Sequence, residues 1–271
     1  VSTIRMKIGI VGSGNVASHL TRALIKAGYS IAGVCSRKLS HAEALIEEMD
    51  SLTQTAIATD RIENLLPTDI LILAINDDSI QDIAQVLGKI APKSYVFHTS
   101  GSTSLKVLSE YLPHCGVLYP LQTFSKDRKI DFSSVPLFIE ASDGPTQELL
   151  RSIALSLSKR VIEMDSEQRK RMHLAAVFAC NFVNHCYVLA EQEMNKCGLD
   201  FEILLPLIDE TTSKVHTLSP RQAQTGPAVR NDKRIINLQK SLLGQSEQDI
   251  YQLLSDNIQR IRYDKLRPHK N

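Results

Sequence analysis

The chain of 271 residues carries 31 basic and 30 acidic side chains, and 43% of its residues are hydrophobic. This length favours two domains over one, and the apolar fraction is large enough for a buried core. A formal net charge of +1 argues against a dominant electrostatic partner, so we expect neither nucleic acid nor an anionic membrane to bind.

Cysteine usage and the first residues of the chain predict a cytoplasmic location. The five cysteines are odd in number, include no C-x-x-C pair and lack disulfide or metal-ligand spacing. Residues 1–6 lack the basic and then apolar layout of a signal peptide. No apolar run approaches the roughly 20 residues that a membrane span needs, so we expect no span.

The first half of the chain alternates β-rich runs with helical periodicity, which predicts a parallel sheet covered on both faces. The predicted strands are Lys7–Val11, Ile31–Ser36, Thr55–Ala58, Ile70–Ile75, Tyr95–Thr99, Gly116–Tyr119, Leu137–Glu140 and Val161–Met164. The predicted helices among them are Asn15–Ala27, Ser40–Met49, Asp78–Ile90 and Pro145–Leu157. The run Ile70–Ile75 is apolar throughout, as expected of a central strand buried on both faces.

After about Asp165 the periodicity becomes helical and no convincing strand follows. The predicted helices are Glu167–Lys196, Leu199–Thr217, Asn231–Leu243 and Glu247–Arg262, with a loop over Ser219–Arg230. The expected fold class is therefore α/β, with two domains. An N-terminal Rossmann domain with a doubly wound parallel sheet covers residues 1–165, and an all-helical domain for substrate binding and dimerisation covers residues 166–271.

A glycine-rich turn between the first strand and the first helix predicts a dinucleotide site. It supplies G-x-G-x-x-A, in which Gly12 permits a tight turn, Gly14 permits close approach of a pyrophosphate and Ala17 allows close helix packing. N–H groups at the start of the helix and the helix dipole would attract the phosphates. A glycine turn without a ligand is the alternative. The expected contacts are Gly12, Ser13, Gly14, Asn15 and Val16.

The residues after the second strand favour NADP over NAD. The chain reads Ser36-Arg37-Lys38 and has no carboxylate here to take the ribose 2′-hydroxyl. Ser36 can donate to a 2′-phosphate, and Arg37 can pair with it or stack on the adenine. A solvated basic turn is the alternative.

Polar residues also follow the strand Ile70–Ile75, at the edge where open α/β sheets bind ligands. Asp77 or Asp78 could instead cap the next helix, and one residue could do both. The contacts expected near the nicotinamide ribose are Ile75, Asn76 and Asp77.

Two further polar turns follow later strands. Thr99 and Ser100 could hold a substrate carboxylate or the nicotinamide amide, and Ser100 is also a weaker catalytic candidate. Capping of a helix by Ser102 is the alternative. Gln122 lies in the next turn and is a candidate substrate contact. No Cys/His cluster has metal-ligand spacing, so we expect no metal.

Three candidates come from the helical part of the chain. Asn181, on the apolar stripe of the long helix, could orient a reacting carbonyl, or it could bond between helices or across a dimer interface. His173 could donate a proton, although a lone helical histidine is more often simply packed. Arg230 could clamp an anionic substrate, or it could pair with Asp232.

The motifs together resemble a known group. In chain order they are GSGNVA, SRK, AINDDSI, HTSGS, YPLQTFS, HLAAVFACNFVNH and TGPAVRND. This order resembles Rossmann-like NADP oxidoreductases whose helical C-terminal domain has no assigned function. The group is similar to pyrroline-5-carboxylate reductase, deazaflavin-dependent NADP oxidoreductases, prephenate dehydrogenase and the 6-phosphogluconate dehydrogenase-like enzymes. The resemblance implies hydride transfer, an interdomain active site and dimers formed through the helical domain.

Two departures prevent the inheritance of a substrate. The related hydroxyacid dehydrogenases carry a lysine on the long helix, but the stretch 179–184 has none, and prephenate dehydrogenases often carry histidine where this chain has Tyr119. We therefore expect a homodimeric NADP(H)-dependent oxidoreductase that transfers a hydride to or from a small anionic carbonyl, imine or hydroxy compound. The rival hypothesis is a non-catalytic NADP(H)-binding sensor or scaffold that acts through its helical domain.

Overall fold

The computed structural model describes residues 6–49 and 56–264, and its eight strands form one sheet. Two expectations fall outside these ranges, namely the first residue of the predicted strand Thr55–Ala58 and most of the N-terminal segment compared with a signal peptide. The strands are β1 (Lys7–Val11), β2 (Ser30–Cys35), β3 (Ile57–Thr59), β4 (Ile70–Leu73), β5 (Tyr95–His98), β6 (Cys115–Pro120), β7 (Leu137–Ala141) and β8 (Val161–Glu163).

The strand order is β3-β2-β1-β4-β5-β6-β7-β8, and the first six strands in this order are parallel. The chain adds β2 and β3 on one side of β1 and then β4, β5 and β6 on its other side. This change of side between β1 and β4 is typical of dinucleotide-binding Rossmann folds. The predicted α/β fold class is confirmed, but the sheet is not parallel throughout, because β7 runs antiparallel to β6. The connection between these two strands contains only the 3-10 turn Phe132–Ser134, so no crossover helix carries the chain back to a parallel start.

Helices cover both faces of the sheet. They are α1 (Asn15–Lys26), α2 (Leu39–Glu47), α3 (Ile80–Ile90), the single turn α4 (Lys106–Ser109) and α5 (Gly144–Leu157). All four residues of β4 are fully buried, and alternate ones enter different cores. Ile70 and Ile72 pack in the cluster that contains α1 and α5, whereas Leu71 and Leu73 pack in the cluster that contains α3. This strand is therefore covered on both sides, as its continuous apolar run predicts.

From Ser166 onward the described chain is helical. Its elements are α6 (Ser166–Ala176), a π-helical turn (Val177–Phe182), α7 (Val183–Lys196), α8 (Leu205–Thr217), α9 (Pro220–Ala223), α10 (Pro227–Arg230), α11 (Lys233–Ser241) and α12 (Gln245–Asp264). The predicted long helix is thus interrupted by the π turn. The predicted loop Ser219–Arg230 contains two single-turn helices, each of which begins with a proline, the residue whose fixed φ suits a first helical position.

The chain divides into two compact units, which we call the sheet unit (Val1–Asn181) and the helical unit (Phe182–Asn271). The sequence predicts a boundary near Ser166, before α6. In the structure α6 contacts the sheet, because Met172 packs against the cluster of Val117, Tyr119 and Phe138 and other side chains of α6 bond to β6 and β7. Residues 166–181 therefore belong to the sheet unit by their contacts.

One helical stretch among the described residues, Ser166–Lys196, is long and apolar enough to cross a membrane by length and composition. The expectation that no segment reaches this level was wrong, because the charges lie at the two ends of the stretch and leave an apolar middle. A single such helix is weak evidence for a span, since the core helix of a soluble protein passes the same test.

Candidate active site

The turn between β1 and α1 can be formed only with glycine at position 12. Gly12 has φ +117°, a left-handed conformation that strains other residues, and its N–H donates to the carbonyl oxygen of Cys35 at 2.8 Å. A Cβ at this position would lie 2.7 Å from the carbonyl carbon of Ala74 and still closer to its oxygen. The turn after β1 is therefore pressed against the end of β4.

Open space lies beside the start of α1. Within residues 6–49 and 56–264, a Cβ built on Gly14 would meet no atom within 4 Å, and no side chain caps the first N–H groups of the helix. Ala17, one turn into the helix, is fully buried and allows close packing on the sheet. The combination of free helical N–H groups, the helix dipole and an open approach fits the pyrophosphate of a dinucleotide.

The ends of β1 and β2 are joined by side chains. The hydroxyl oxygens of Ser13 and Ser36 lie 2.9 Å apart, and the N–H of Ser36 donates to the Thr59 carbonyl oxygen at 3.0 Å. Arg37 and Lys38 follow and are exposed. Within residues 6–49 and 56–264, neither forms an ion pair with a carboxylate of the chain. Two cations therefore stand next to the dinucleotide turn, which fits the extra phosphate of NADP.

Asn15 and His19 attach the loop after β6 to α1. The Asn15 side-chain amide donates to the carbonyl oxygen of Phe124 at 2.8 Å, and Nε2 of the buried His19, one turn later, lies 3.0 Å from the carbonyl oxygen of Ser125. Gln122 precedes this anchor and is exposed, and its side-chain oxygen accepts from the N–H of Thr123. The sequence motif did not reveal this second role of Asn15, because it joins residues far apart in the chain.

The carboxyl ends of β4 and β5 are linked through Asp77. Its carboxylate accepts a hydrogen bond from the hydroxyl of Ser102, and α3 is preceded by Ser79, without side-chain capping. Neither Asp77 nor Asp78 therefore caps α3. Ile75 is half-buried and Asn76 is exposed at the same edge.

Ser100 uses its hydroxyl within its own turn. The oxygen accepts from the N–H groups of Ser102 at 3.2 Å and Thr103 at 2.9 Å, and the hydroxyl donates to the Thr103 side chain at 2.9 Å. The neighbouring Thr99 hydroxyl points to the Leu73 carbonyl oxygen at 3.4 Å. These bonds favour a role for Ser100 in shaping the loop over a role as a reacting group.

Tyr119 and His173 form a pair at the same edge of the sheet. The phenol oxygen of Tyr119 lies 2.9 Å from Nδ1 of His173, and the two rings meet edge to face at 5.8 Å between centroids. Tyr119 is only 8% exposed, and burial raises its pKa to about 12. His173 is half-buried. Tyr119 was not among the predicted site residues, although it ends the predicted strand Gly116–Tyr119, where ligand-binding residues of α/β sheets lie.

An ion pair holds α6 on the sheet. The guanidinium group of Arg169 is 1% exposed and donates to the Glu140 carboxylate, and it also donates to the Thr103 carbonyl oxygen at 2.6 Å. Ser166 donates its backbone N–H to the same carboxylate at 3.1 Å and its hydroxyl at 2.8 Å. This network joins β7, the loop after β5 and the helix that carries His173.

His98, the last residue of β5, is fully buried. Its Nδ1 accepts from the Ser100 N–H at 3.1 Å, so the ring proton lies on Nε2. Burial, together with the charge of Arg169, lowers the pKa of His98 to about 3, which keeps the ring neutral at physiological pH. Among the described residues, Nε2 of His98 and Nε of Arg169 have no hydrogen-bond partner.

The last two sequence candidates lie in later elements of the chain. Asn181 ends the sheet unit in the π turn and is exposed, although its place on the apolar stripe of the long helix predicts burial. Arg230 lies in the helical unit at the end of α10 and is exposed. Asp232 accepts from the Ile235 N–H as the cap of α11, and no ion pair joins it to Arg230 in the described ranges. In those ranges no group of three or more His, Cys, Asp or Glu side chains could hold a metal ion.

The strand order and the glycine turn define a dinucleotide-binding Rossmann protein. Residues 7–97 match the family described as "NADP oxidoreductase coenzyme F420-dependent", and residues 135–258 match the domain of unknown function DUF2520. BF3122 from Bacteroides fragilis, a candidate NADP oxidoreductase, is 40% identical over 96% of this chain and 100% of its own, with a TM-score of 0.88. The chain belongs to this family of NADP oxidoreductases with a helical C-terminal domain. The assignment confirms the predicted resemblance and NADP as the cofactor.

More distant structures share the fold. A reductive aminase from Aspergillus terreus, solved with NADPH and ethyl-5-oxohexanoate, is 15% identical with a TM-score of 0.69, over 96% of this chain and 94% of its own. A pyrroline-5-carboxylate reductase from Coxiella burnetii is 17% identical with a TM-score of 0.56, over the same shares. No curated protein sequence shows significant similarity to the chain.

Proposed function

We propose that the chain transfers a hydride between NADP(H) and a small anionic carbonyl, imine or hydroxy compound. The observation that carries this proposal is the Tyr119–His173 pair, which lies at the edge of the sheet where Rossmann proteins bind their ligands. A sensor would not need a hydrogen-bonded phenol and imidazole at this edge. The reductases among the structural relatives also support an enzymatic function over a sensor.

The cofactor, when bound, supplies or accepts the hydride. The proposed pyrophosphate contacts are Gly12, Ser13, Gly14, Asn15 and Val16, and those of the 2′-phosphate are Ser36, Arg37 and Lys38. The ribose would lie near Ile75, Asn76 and Asp77. His173 is the proposed hydrogen-bond and proton donor, and Asn181 orients the reacting group. The proposed substrate contacts are Thr99, Gln122 and Arg230. Of the predicted catalytic residues, Ser100 is the weakest candidate. A cytoplasmic location remains a prediction.

Hydride transfer itself is the direct test of this function. The chain is incubated with NADPH deuterated at one face of C4 and with a panel of keto acids, cyclic imines and aldehyde acids. We expect deuterium to enter one product from a single face of the nicotinamide. Tight binding of NADPH without transfer to any compound of the panel would favour the sensor hypothesis.

Substitution of Arg37 by aspartate should weaken NADPH binding and leave NADH binding nearly unchanged. Arg37 is exposed and free to reach a phosphate that NADH lacks. We expect the wild-type preference for NADPH to be about ten- to several-hundred-fold, the range of one or two charge-assisted contacts. Calorimetric titration measures both affinities. Lys93→Asp, with the same change of charge at the opposite edge of the sheet, is the control and should retain the preference. Equal wild-type affinities for the two cofactors would contradict this assignment.

Substitution of Asn181 by alanine should lower turnover by roughly ten- to a thousand-fold, the range for removal of one preorganised donor. NADPH affinity should stay unchanged, because the predicted cofactor contacts lie elsewhere. Since Asn181 is exposed in the chain, its loss should leave the melting temperature close to wild type. Asn184→Ala, an exposed asparagine on α7, is the matched control. A variant that melts early but turns over normally per folded molecule would assign Asn181 to architecture.

We further propose a two-fold homodimer formed mainly by the helical unit. This unit exposes large apolar side chains, among them Leu207 at 64% and Leu253 at 70%, which is more than a monomer normally leaves in water. Light scattering at micromolar concentration should give twice the mass of one chain. Leu207→Asp should shift the mass toward the monomer, whereas Leu155→Asp, an exposed leucine of α5, should not. A monomeric wild type would disprove the dimer.

A further inference from the structure

Gly101 lies directly against both rings of the Tyr119–His173 pair. A Cβ on Gly101 would lie 2.6 Å from Nδ1 of His173 and 2.8 Å from Cζ of Tyr119. The glycine therefore allows the backbone of the loop after β5 to press against both rings at their hydrogen bond. Tyr119 is also stacked on Phe138, with 6.0 Å between ring centroids, so its phenol has a fixed position.

The direction of this hydrogen bond follows from the number of available acceptors. If Nδ1 of His173 carried the proton and donated to the phenol oxygen, the phenol proton would need a second acceptor. In the described part of the chain, the Tyr119 hydroxyl has one hydrogen bond, to His173. Burial raises the pKa of Tyr119 to about 12, so the phenol keeps its proton. A buried hydroxyl proton without an acceptor is costly, which favours donation from Tyr119 to Nδ1.

We propose that Tyr119 is a positioning residue that holds His173 in the tautomer with its proton on Nε2. This inference rests on the proposed function, because it assigns Nε2–H as the atom that donates a hydrogen bond to the reacting oxygen or nitrogen of the substrate. A neutral imidazole in a fixed tautomer can polarise a carbonyl or imine without carrying a charge itself. The network of Arg169 and Glu140 fixes the helix that carries His173. The imidazole is therefore held both by its helix and by the hydrogen bond from Tyr119.

The tautomer can be measured without cofactor or substrate. The chain is labelled with ¹⁵N-histidine, and the two ring nitrogens of each histidine are observed at a pH where the imidazole is neutral. The His173 signals are identified by their loss in His173→Gln. In the wild type we expect Nε2 to show the shift of a protonated ring nitrogen and Nδ1 that of an unprotonated nitrogen.

Two variants should remove this preference in different ways. Tyr119→Phe keeps the ring and its stacking on Phe138 but has no hydroxyl, so the two nitrogen shifts should move toward averaged values. Gly101→Ala keeps both partners but displaces the imidazole, and it should have the same effect if Tyr119→Phe does not fold. Tyr95→Phe is the control, because Tyr95 contacts the ring of His114 without a hydrogen bond to it, and no histidine signal should change.

A wild-type His173 with its proton on Nδ1, or an unchanged spectrum in both variants, would overturn the inference. Because the spectra need no cofactor, such a result leaves the proposed hydride transfer untouched. Conversely, a chain that shows the expected tautomer but transfers no hydride would retain the pair and lose the proposed function.

Discussion

Gly14→Ala is expected to abolish measurable NADPH binding while the chain remains as stable as the wild type. Gly14 has φ −80°, which alanine adopts without strain, and the added Cβ would meet no atom of the described residues within 4 Å. The new methyl group would instead fill the space through which the pyrophosphate reaches the N–H groups of α1. We expect at least about a hundredfold loss of affinity, close to 3 kcal/mol.

Gly12→Ala provides the contrast. Its Cβ would collide with the carbonyl group of Ala74, and its φ of +117° is unfavourable for alanine, so folding and binding should both suffer. Strain and overpacking together should cost about 2–5 kcal/mol of unfolding free energy. NADPH titration and urea unfolding of the two variants measure both quantities. Normal NADPH affinity in Gly14→Ala would mean that the pyrophosphate does not bind at this turn.

Arg169→Ala should destabilise the chain by about 3–5 kcal/mol, because it leaves the carboxylate of Glu140 without its buried cation. It also removes the bond to the Thr103 carbonyl oxygen, which ties the loop after β5 to α6. The loss should lower activity through displacement of His173, even when the measurement is made on folded protein.

An exposed ion pair gives the control for this substitution. Arg151 and Glu163 also form an ion pair, but their side chains are 57% and 47% exposed, so Arg151→Ala should cost only about 0–1 kcal/mol. The double variant Arg169→Met with Glu140→Gln removes both charges and should recover part of the stability. Urea unfolding followed by circular dichroism gives all three values. An equal cost for the two arginine substitutions would show that burial does not strengthen the Arg169 pair.

The parts of the site that could be predicted from the sequence are local ones. The glycine turn requires only a few consecutive residues between a strand and a helix, and Ser36-Arg37-Lys38 directly follows a recognisable strand. The apolar run of β4 likewise shows its burial in its own composition. These signals depend on backbone conformation and periodicity, which neighbouring residues determine.

The parts that the sequence did not predict join distant residues. Tyr119 and His173 are 54 positions apart, and Glu140 and Arg169 are 29 apart, so no spacing rule connects them. The antiparallel strand β7 depends on the path of a connection without a regular helix. The packing of α6 on the sheet depends on these same pairs. Local sequence pattern therefore could not predict that the division into units falls after Asn181.

A crystal structure of the chain with NADPH tests the central claim most directly. The account predicts the pyrophosphate at Gly12 and Gly14 and the 2′-phosphate beside Arg37. It predicts the nicotinamide ring at the carboxyl edge of the sheet, next to His173 of α6. The reactive carbon of the nicotinamide should lie close to Nε2 of His173. A nicotinamide ring bound away from His173, or a 2′-phosphate that does not contact Ser36, Arg37 or Lys38, would contradict the account.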